Sequence, residues 1–299
     1  MRRLLLLLLL LLHTPVQALV GGEILDWNTG GEPWTGVVAI LPEQGGVYSG
    51  VLIDARHVLT AAHVVSGSRN SPERIRIRFN GPSARAELRV ARAVVIHPDF
   101  QTGNTMRDAR FAWHDDLALV RLADPAPDYA HVFPLDRQKI RPGQVFSLAG
   151  YGADAVPATG AVITGPSPGV LRLGRNRVEA LLADDEGSGQ DEVLLFQFDA
   201  PPVRSPVLRG GGPSRWVAGE AQVAFGDSGG PLFIDEAGRV AVLAIAAFNG
   251  ETPQSCQRDG PGNTLNCSKT RQGALGGAGL VTPHLDWIRR ILDQEYPPE

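Results

Sequence analysis

The apolar runs of this chain are short and interrupted, and that punctuation limits its fold more than any other feature. Val37 to Leu41, Gly50 to Ile53, Ile75 to Phe79, Leu88 to Ile96, Leu117 to Leu122 and Val145 to Ala149 are separated by stretches carrying Gly, Pro, Asn or Asp. Arg177 to Leu182, Val193 to Phe198, Pro231 to Ile234 and Val240 to Phe248 repeat the pattern in the second half. Short runs between turn residues read as strands. With 35 glycines and 23 prolines in 299 residues, long helices have little room, so the chain is predicted to be all-β. One helix is expected over about 283–293. Thr282 caps it, Pro283 suits its first turn, and Leu285, Trp287, Ile288 and Leu292 recur at helical spacing.

The first residues stand outside that fold. Arg2 and Arg3 precede an unbroken leucine run, Leu4 to Leu12, and Val16-Gln17-Ala18 follows as a cleavage site. The run is shorter than the roughly 20 residues a bilayer span needs. Residues 1–18 therefore read as a signal peptide and 19–299 as one exported domain, with no stable membrane association. Cys256 and Cys267 are the two cysteines. In an oxidising compartment a local disulfide between them is expected, stabilising by about 3 kcal/mol in the chain-entropy view. With 28 Lys and Arg against 32 Asp and Glu, the net charge of −4 argues against a nucleic-acid footprint. No His lies near either Cys, and no nucleotide loop or cofactor motif is present, so no metal or cofactor is expected.

The chemistry is written in three runs. Ser228 sits in Gly226-Asp227-Ser228-Gly229-Gly230-Pro231, His63 in Leu59-Thr60-Ala61-Ala62-His63-Val64-Val65, and Asp116 in His114-Asp115-Asp116-Leu117-Ala118-Leu119-Val120. Glycines beside a nucleophile allow a tight turn and close approach of a substrate carbonyl. The Gly226 and Ser228 N–H groups are candidate donors to a developing oxyanion. A serine needs a positioned base, and that base an orienting acid. Asp115 is the rival of Asp116 for the last role. His57, His97, His114, His131 and His284 read as surface or packing histidines.

These runs resemble the trypsin/chymotrypsin-like serine peptidases, whose motifs take the forms TAAHC, DIAL and GDSGGP in the same order. Leu19-Val20-Gly21-Gly22, Ser49-Gly50-Val51-Leu52-Ile53, Ile96-His97-Pro98-Asp99-Phe100, Gly150-Tyr151-Gly152 and Leu285-Asp286-Trp287-Ile288 extend the likeness along nearly the whole mature chain. The resemblance implies two six-stranded antiparallel β-barrels, about 19–133 and 134–281, with the active site between them and a C-terminal helix. It assigns His63 as general base and acid, Asp116 as orienter and Ser228 as nucleophile. It further implies that a new α-amino group at Leu19 pairs with Asp227, so that signal cleavage alone yields the active form with no separate propeptide. A protein or peptide substrate and a monomer are expected. The alternative is a catalytically weak or inactive binding protein on the same fold.

The chain departs from the pattern in places. Val51 and Val64 stand where the family commonly has a disulfide around the histidine, and Ala224 replaces another Cys. The expected substrate pocket is Gln222, Phe225, Ala247, Phe248 and Asn249. Gln222 stands where a trypsin-like member has Asp, so cleavage after Arg or Lys is not expected. Asn249 in place of Gly narrows the pocket toward a small or polar side chain. Ala247 lacks a hydroxyl that usually supports the catalytic acid.

Overall fold

The computed structural model describes residues 19–27, 33–83, 85–101, 114–199, 216–259 and 264–295. The signal segment and most of the Pro201–Gly219 loop lie outside these residues.

The first half contains β1 (Glu23–Ile24), β2 (Val37–Leu41), β3 (Tyr48–Leu52), β4 (His57–Thr60), β5 (Arg76–Asn80), β6 (Ala86–Ile96) and β7 (Ala118–Leu122), with a one-turn helix α1 (Ala62–Val65) between β4 and β5. Six of these strands close into a barrel in the order β2-β3-β4-β7-β6-β5. The inward residues are aliphatic and fully buried, among them Val38, Ile40, Leu52, Leu59, Ile77 and Val120. Val51 and Val64 join the same core, so two apolar side chains fill the region where a bridge was absent.

The second half contains β8 (Val145–Gly150), β9 (Asp154–Ala155), β10 (Val162–Thr164), β11 (Arg172–Arg177), β12 (Ala180–Ala183), β13 (Asp191–Gln197), β14 (Pro231–Glu236), β15 (Arg239–Gly250), β16 (Cys256–Asp259), β17 (Thr264–Cys267) and β18 (Leu275–Leu280). Helix α2 (Leu285–Glu295) follows a single 3-10 turn, Thr282–His284. The expected second barrel is not seen among the described residues. An eight-stranded sheet runs β1-β11-β8-β14-β15-β18-β13-β12, and its end strands β1 and β12 do not pair with each other. The expected strand from Arg177 to Leu182 is two strands instead. The chain breaks between them because the Val178 and Glu179 amides donate sideways to the Gln144 and Leu195 carbonyls.

The two halves meet at an aromatic cluster. Phe133 and Phe233 ring centroids lie 4.6 Å apart, and Trp34 sits 5.5 Å from Phe233 with its ring edge-on. Trp287 and Ile288 of α2 join a buried cluster that holds the barrel residues together with Phe233, Val242 and Ile245 of the sheet, so the terminal helix packs where the two halves meet.

Candidate active site

His63 and Asp116 are brought together from opposite ends of barrel strands. β4 ends at Thr60, the chain stays extended through Ala61 (φ −77°, ψ 142°), and α1 then turns His63 out of the barrel wall. Asp116 precedes β7. A tight turn positions it, with Asp115 at φ 54° and the Leu117 amide bonded to the Asp115 carbonyl at 2.6 Å. The Asp116 side chain is fully buried, and its Oδ2 lies 2.7 Å from His63 Nδ1. Its Oδ1 accepts from the His63 backbone amide at 2.9 Å. Both carboxylate oxygens therefore serve one residue. The contact holds the Nδ1 proton on the acid side and leaves Nε2 to exchange protons with a substrate group. Ala247 is buried in β15 and offers no hydroxyl; the His63 amide supplies the carboxylate's second donor.

Ser228 sits in a turn that only glycines permit. Gly226 has φ 98° and Gly229 φ 80°. A Cβ on Gly229 would collide with Thr60 Oγ1 and the Ser49 carbonyl and lie 3.1 Å from the Ala61 amide, so the turn rests directly on the segment leading to His63. Ser49 of β3, read from sequence only as part of a strand, anchors it. The Ser49 hydroxyl donates to the Gly226 carbonyl at 2.9 Å and accepts from the Tyr151 amide at 3.0 Å. The Ser49 amide donates to the Ser228 carbonyl at 3.0 Å. Among the described residues the Gly226 and Ser228 amides donate to no protein acceptor, and the neighbouring Asp227, Gly229 and Gly230 amides are all committed. Two uncommitted N–H groups flanking a serine can receive an oxyanion.

Asp227 lies under this turn, fully buried. It accepts from the Gly152 and Ala224 amides, each at 2.9 Å, and burial pushes its carboxyl up to about 7. The buried Arg172 pulls it down and Asp154 pushes it up, an environment the sequence did not reveal. In the continuous chain Leu19 carries an amide. Its side chain is 1% exposed, and Val20 exchanges backbone bonds with Gln222 at 3.0 and 2.9 Å.

Of the expected pocket residues Ala247, Phe248 and Asn249 lie in β15, whereas Gln222 forms an isolated bridge with Val20 and Phe225 lies in a turn. Gln222 is fully buried; its Oε1 accepts from the Val223 amide at 3.0 Å, and its Nε2 has no hydrogen-bond partner. Asn249 Nδ2 donates to the Val223 carbonyl at 3.0 Å, tying β15 to this segment. Gly276 completes the group and was missed from sequence. A Cβ there would meet Gln222 Oε1 at 2.6 Å and the Phe196 ring. Phe248 covers Gly277, while Phe225 is 64% exposed and stacks edge-on against Tyr48.

Other expectations resolve variously. Cys256 and Cys267 are bonded, as directly paired residues of β16 and β17. The histidines are not simply packing or surface residues. His57 is buried against Asp54, with Nδ1 2.7 Å from a carboxylate oxygen. His97 and His284 cluster with Asp115 and Glu192 behind Asp116, and His114 bonds Glu192. Burial pushes His284 down to about 4, while the Glu192 bond raises His114. Among the described residues no helix is long and apolar enough to cross a membrane.

Comparison with known proteins agrees with this geometry. The chain is 26% identical to complement C1s subcomponent of Sus scrofa over 300 residues, covering 95% of this chain and 36% of that protein. It is 29% identical to serine protease 56 of Mus musculus over 227 residues, covering 74% and 32% respectively. Snake venom serine protease KN6 of Trimeresurus stejnegeri is 24% identical over 265 residues, covering 86% and 82%. The chain thus spans about a third of the length of the first two relatives. The family model of the trypsin-like peptidase domain matches residues 48–243, more than half of the chain and a span holding His63, Asp116 and Ser228. On that match, and on the barrel and turns that carry it, the chain belongs to the trypsin-like serine peptidases.

Proposed function

We propose that this protein is an exported serine endopeptidase that hydrolyses peptide bonds through an acyl-enzyme on Ser228. His63 Nε2 takes the Ser228 proton as the hydroxyl attacks the scissile carbonyl, then gives it to the leaving amine. Asp116 holds the imidazole in one tautomer and stabilises the imidazolium. The Gly226 and Ser228 amides receive the oxyanion. Water then repeats the sequence and releases the acid product. The single observation that carries this reading is the 2.7 Å His63–Asp116 contact beside a serine whose flanking amides are uncommitted.

The pocket favours a substrate side chain that is short and carries an acceptor. Gln222 spends its oxygen on the Val223 amide and keeps a buried, unpaired N–H, while Asn249 Nδ2 is spent on the Val223 carbonyl. A buried unpaired donor costs about 1–3 kcal/mol, which an accepting side chain relieves and an alkyl one does not. Activation by signal cleavage fits the same site: an amine at Leu19 would supply the buried Asp227 with a cation. Profiling on a peptide library, with Ser228→Ala as control, tests the reading. Cleavage is expected, lost by roughly 10³-fold or more in the variant. Undiminished cleavage by Ser228→Ala overturns it.

A further inference from the structure

Behind Asp116 lies a second cluster of ligating side chains that peptide hydrolysis does not use. His97 follows β6, Asp115 precedes Asp116, Glu192 stands in β13, and His284 ends the turn before α2. His97 Nδ1 is 2.9 Å from Asp115 Oδ1, and His284 Nε2 is 3.4 Å from both Asp115 Oδ1 and Glu192 Oε1. The ligand atoms of His97, Asp115 and His284 all lie within 4.8 Å of one another.

Two features separate this cluster from an ordinary ion-pair network. It is dry: the His284 side chain is 5% exposed, Asp115 6% and Glu192 3%. Two of its nitrogens are also unsatisfied: His97 Nδ1 and His284 Nε2 have no hydrogen-bond partner despite their nearness to carboxylate oxygens, while both Glu192 oxygens are engaged by the Asp115 amide and by His114. Nitrogens and oxygens that crowd together without aligning for hydrogen bonds are aimed at a common centre. A tetrahedral zinc ion with bonds of about 2.0–2.1 Å separates its ligand atoms by roughly 3.3 Å. The three separations above bracket that value.

We propose that His97 Nδ1, Asp115 Oδ1 and His284 Nε2 bind one zinc-class divalent cation, with Glu192 lining the site and accepting from the Asp115 amide at 3.0 Å. Imidazole and carboxylate donors suit zinc and its neighbours rather than calcium or magnesium, which take oxygen alone. His114, bonded to Glu192, orients that carboxylate from outside. The ion would tie two separate parts of the molecule together: the barrel rim through His97 and Asp115, and the turn that leads into the terminal helix through His284. It would also fix the left-handed Asp115, and so the carboxylate next to it that holds His63. The ligands are scattered over the chain from residue 97 to residue 284, which is why no metal motif is visible in the sequence.

The test is equilibrium dialysis of the chelator-stripped chain against zinc chloride, using Ser228→Ala protein to prevent self-digestion. Substitution with cobalt(II) provides the spectroscopic readout. One zinc retained per chain and visible cobalt bands of a tetrahedral nitrogen–oxygen site are expected. His97→Gln and His284→Gln should each weaken binding by roughly tenfold or more, whereas the distant His131→Gln should not. If either ligand variant fails to fold, the cobalt spectrum of the parent chain decides alone. No retained zinc, an octahedral cobalt spectrum, or equal binding by folded His97→Gln and His284→Gln chains would overturn the proposal. The outcome is independent of whether Ser228 is the nucleophile.

Discussion

The two halves of this molecule solve the same packing problem differently. The first closes six strands around an aliphatic core and places His63 and Asp116 at its rim with their contacts already made. The second is an eight-stranded sheet that buries Arg172, Glu192, Glu220 and Asp227 among its apolar residues. Burial pushes Glu220 up to about 8 and Asp227 to about 7, so these carboxyls titrate near neutrality, whereas in the barrel half Asp54, which desolvation raises, is held below its ordinary value by His57. His63 and Asp116 are thus held at the rim of a closed barrel, and the Ser228 turn in a region whose buried carboxyls are raised toward neutrality.

That contrast is broken or sharpened by three substitutions and one change of N-terminus, taken in order of decreasing effect. Asp116→Asn removes the charge that fixes the His63 tautomer; kcat for peptide hydrolysis is expected to fall by about 10⁴ with the melting temperature little changed. A large loss of stability instead would show that the barrel is not a preformed scaffold.

The second test concerns Asp227. Its carboxyl is raised, so the folded chain retains a proton that the unfolded chain releases at lower pH. Its contribution to stability is therefore present below the ordinary carboxylate value and lost as pH rises through about 7. A chain beginning at Leu19 should reverse this. Its amine, raised by the carboxylate, stabilises at neutral pH and loses the effect as pH rises through that raised value. At pH 7.5 it should exceed a chain retaining Ala18 by about 3 kcal/mol in urea unfolding, in keeping with a completed buried pair. Equal stability of the two chains would remove the activation reading.

Replacing Cys256 and Cys267 together by Ser should cost about 2–3 kcal/mol by the same measurement, with kcat/KM on a short peptide unchanged. The cross-link joins only the β16–β17 hairpin, so a loss of activity would mean that this hairpin borders the substrate. Ser49→Ala should have the smallest effect, about 1–2 kcal/mol, because it leaves the Gly226 carbonyl and Tyr151 amide without a partner. Its cost should appear in kcat more than in KM, since the hydroxyl braces the turn that positions the oxyanion donors.

Five of the six barrel strands were easy to find in the sequence because their apolar runs face one core. β2 is expected and observed as Val37–Leu41. β18 was invisible because it reads Leu-Gly-Gly-Ala-Gly-Leu, a composition poor in strand formers. The Phe196 and Phe248 rings explain it, since they lie where side chains on Gly276 and Gly277 would be. β4 was also missed, because it is brief and opens on His57, a buried ring paired with Asp54. At the site, residues inside short motifs were legible: His63, Asp116, Ser228 and the glycines beside it. Ser49, Arg172, Gly276 and the His97–Asp115–His284 cluster were not, because their roles arise from contacts between segments 80 or more residues apart in most cases, which no local pattern records.

The central claim is that the barrel's His63–Asp116 pair activates Ser228. Labelling the folded chain with a serine-directed fluorophosphonate, followed by peptide mass mapping, addresses it directly. The account predicts a single adduct on Ser228, nearly abolished in His63→Ala. No adduct on Ser228, or one formed equally fast in His63→Ala, would contradict it.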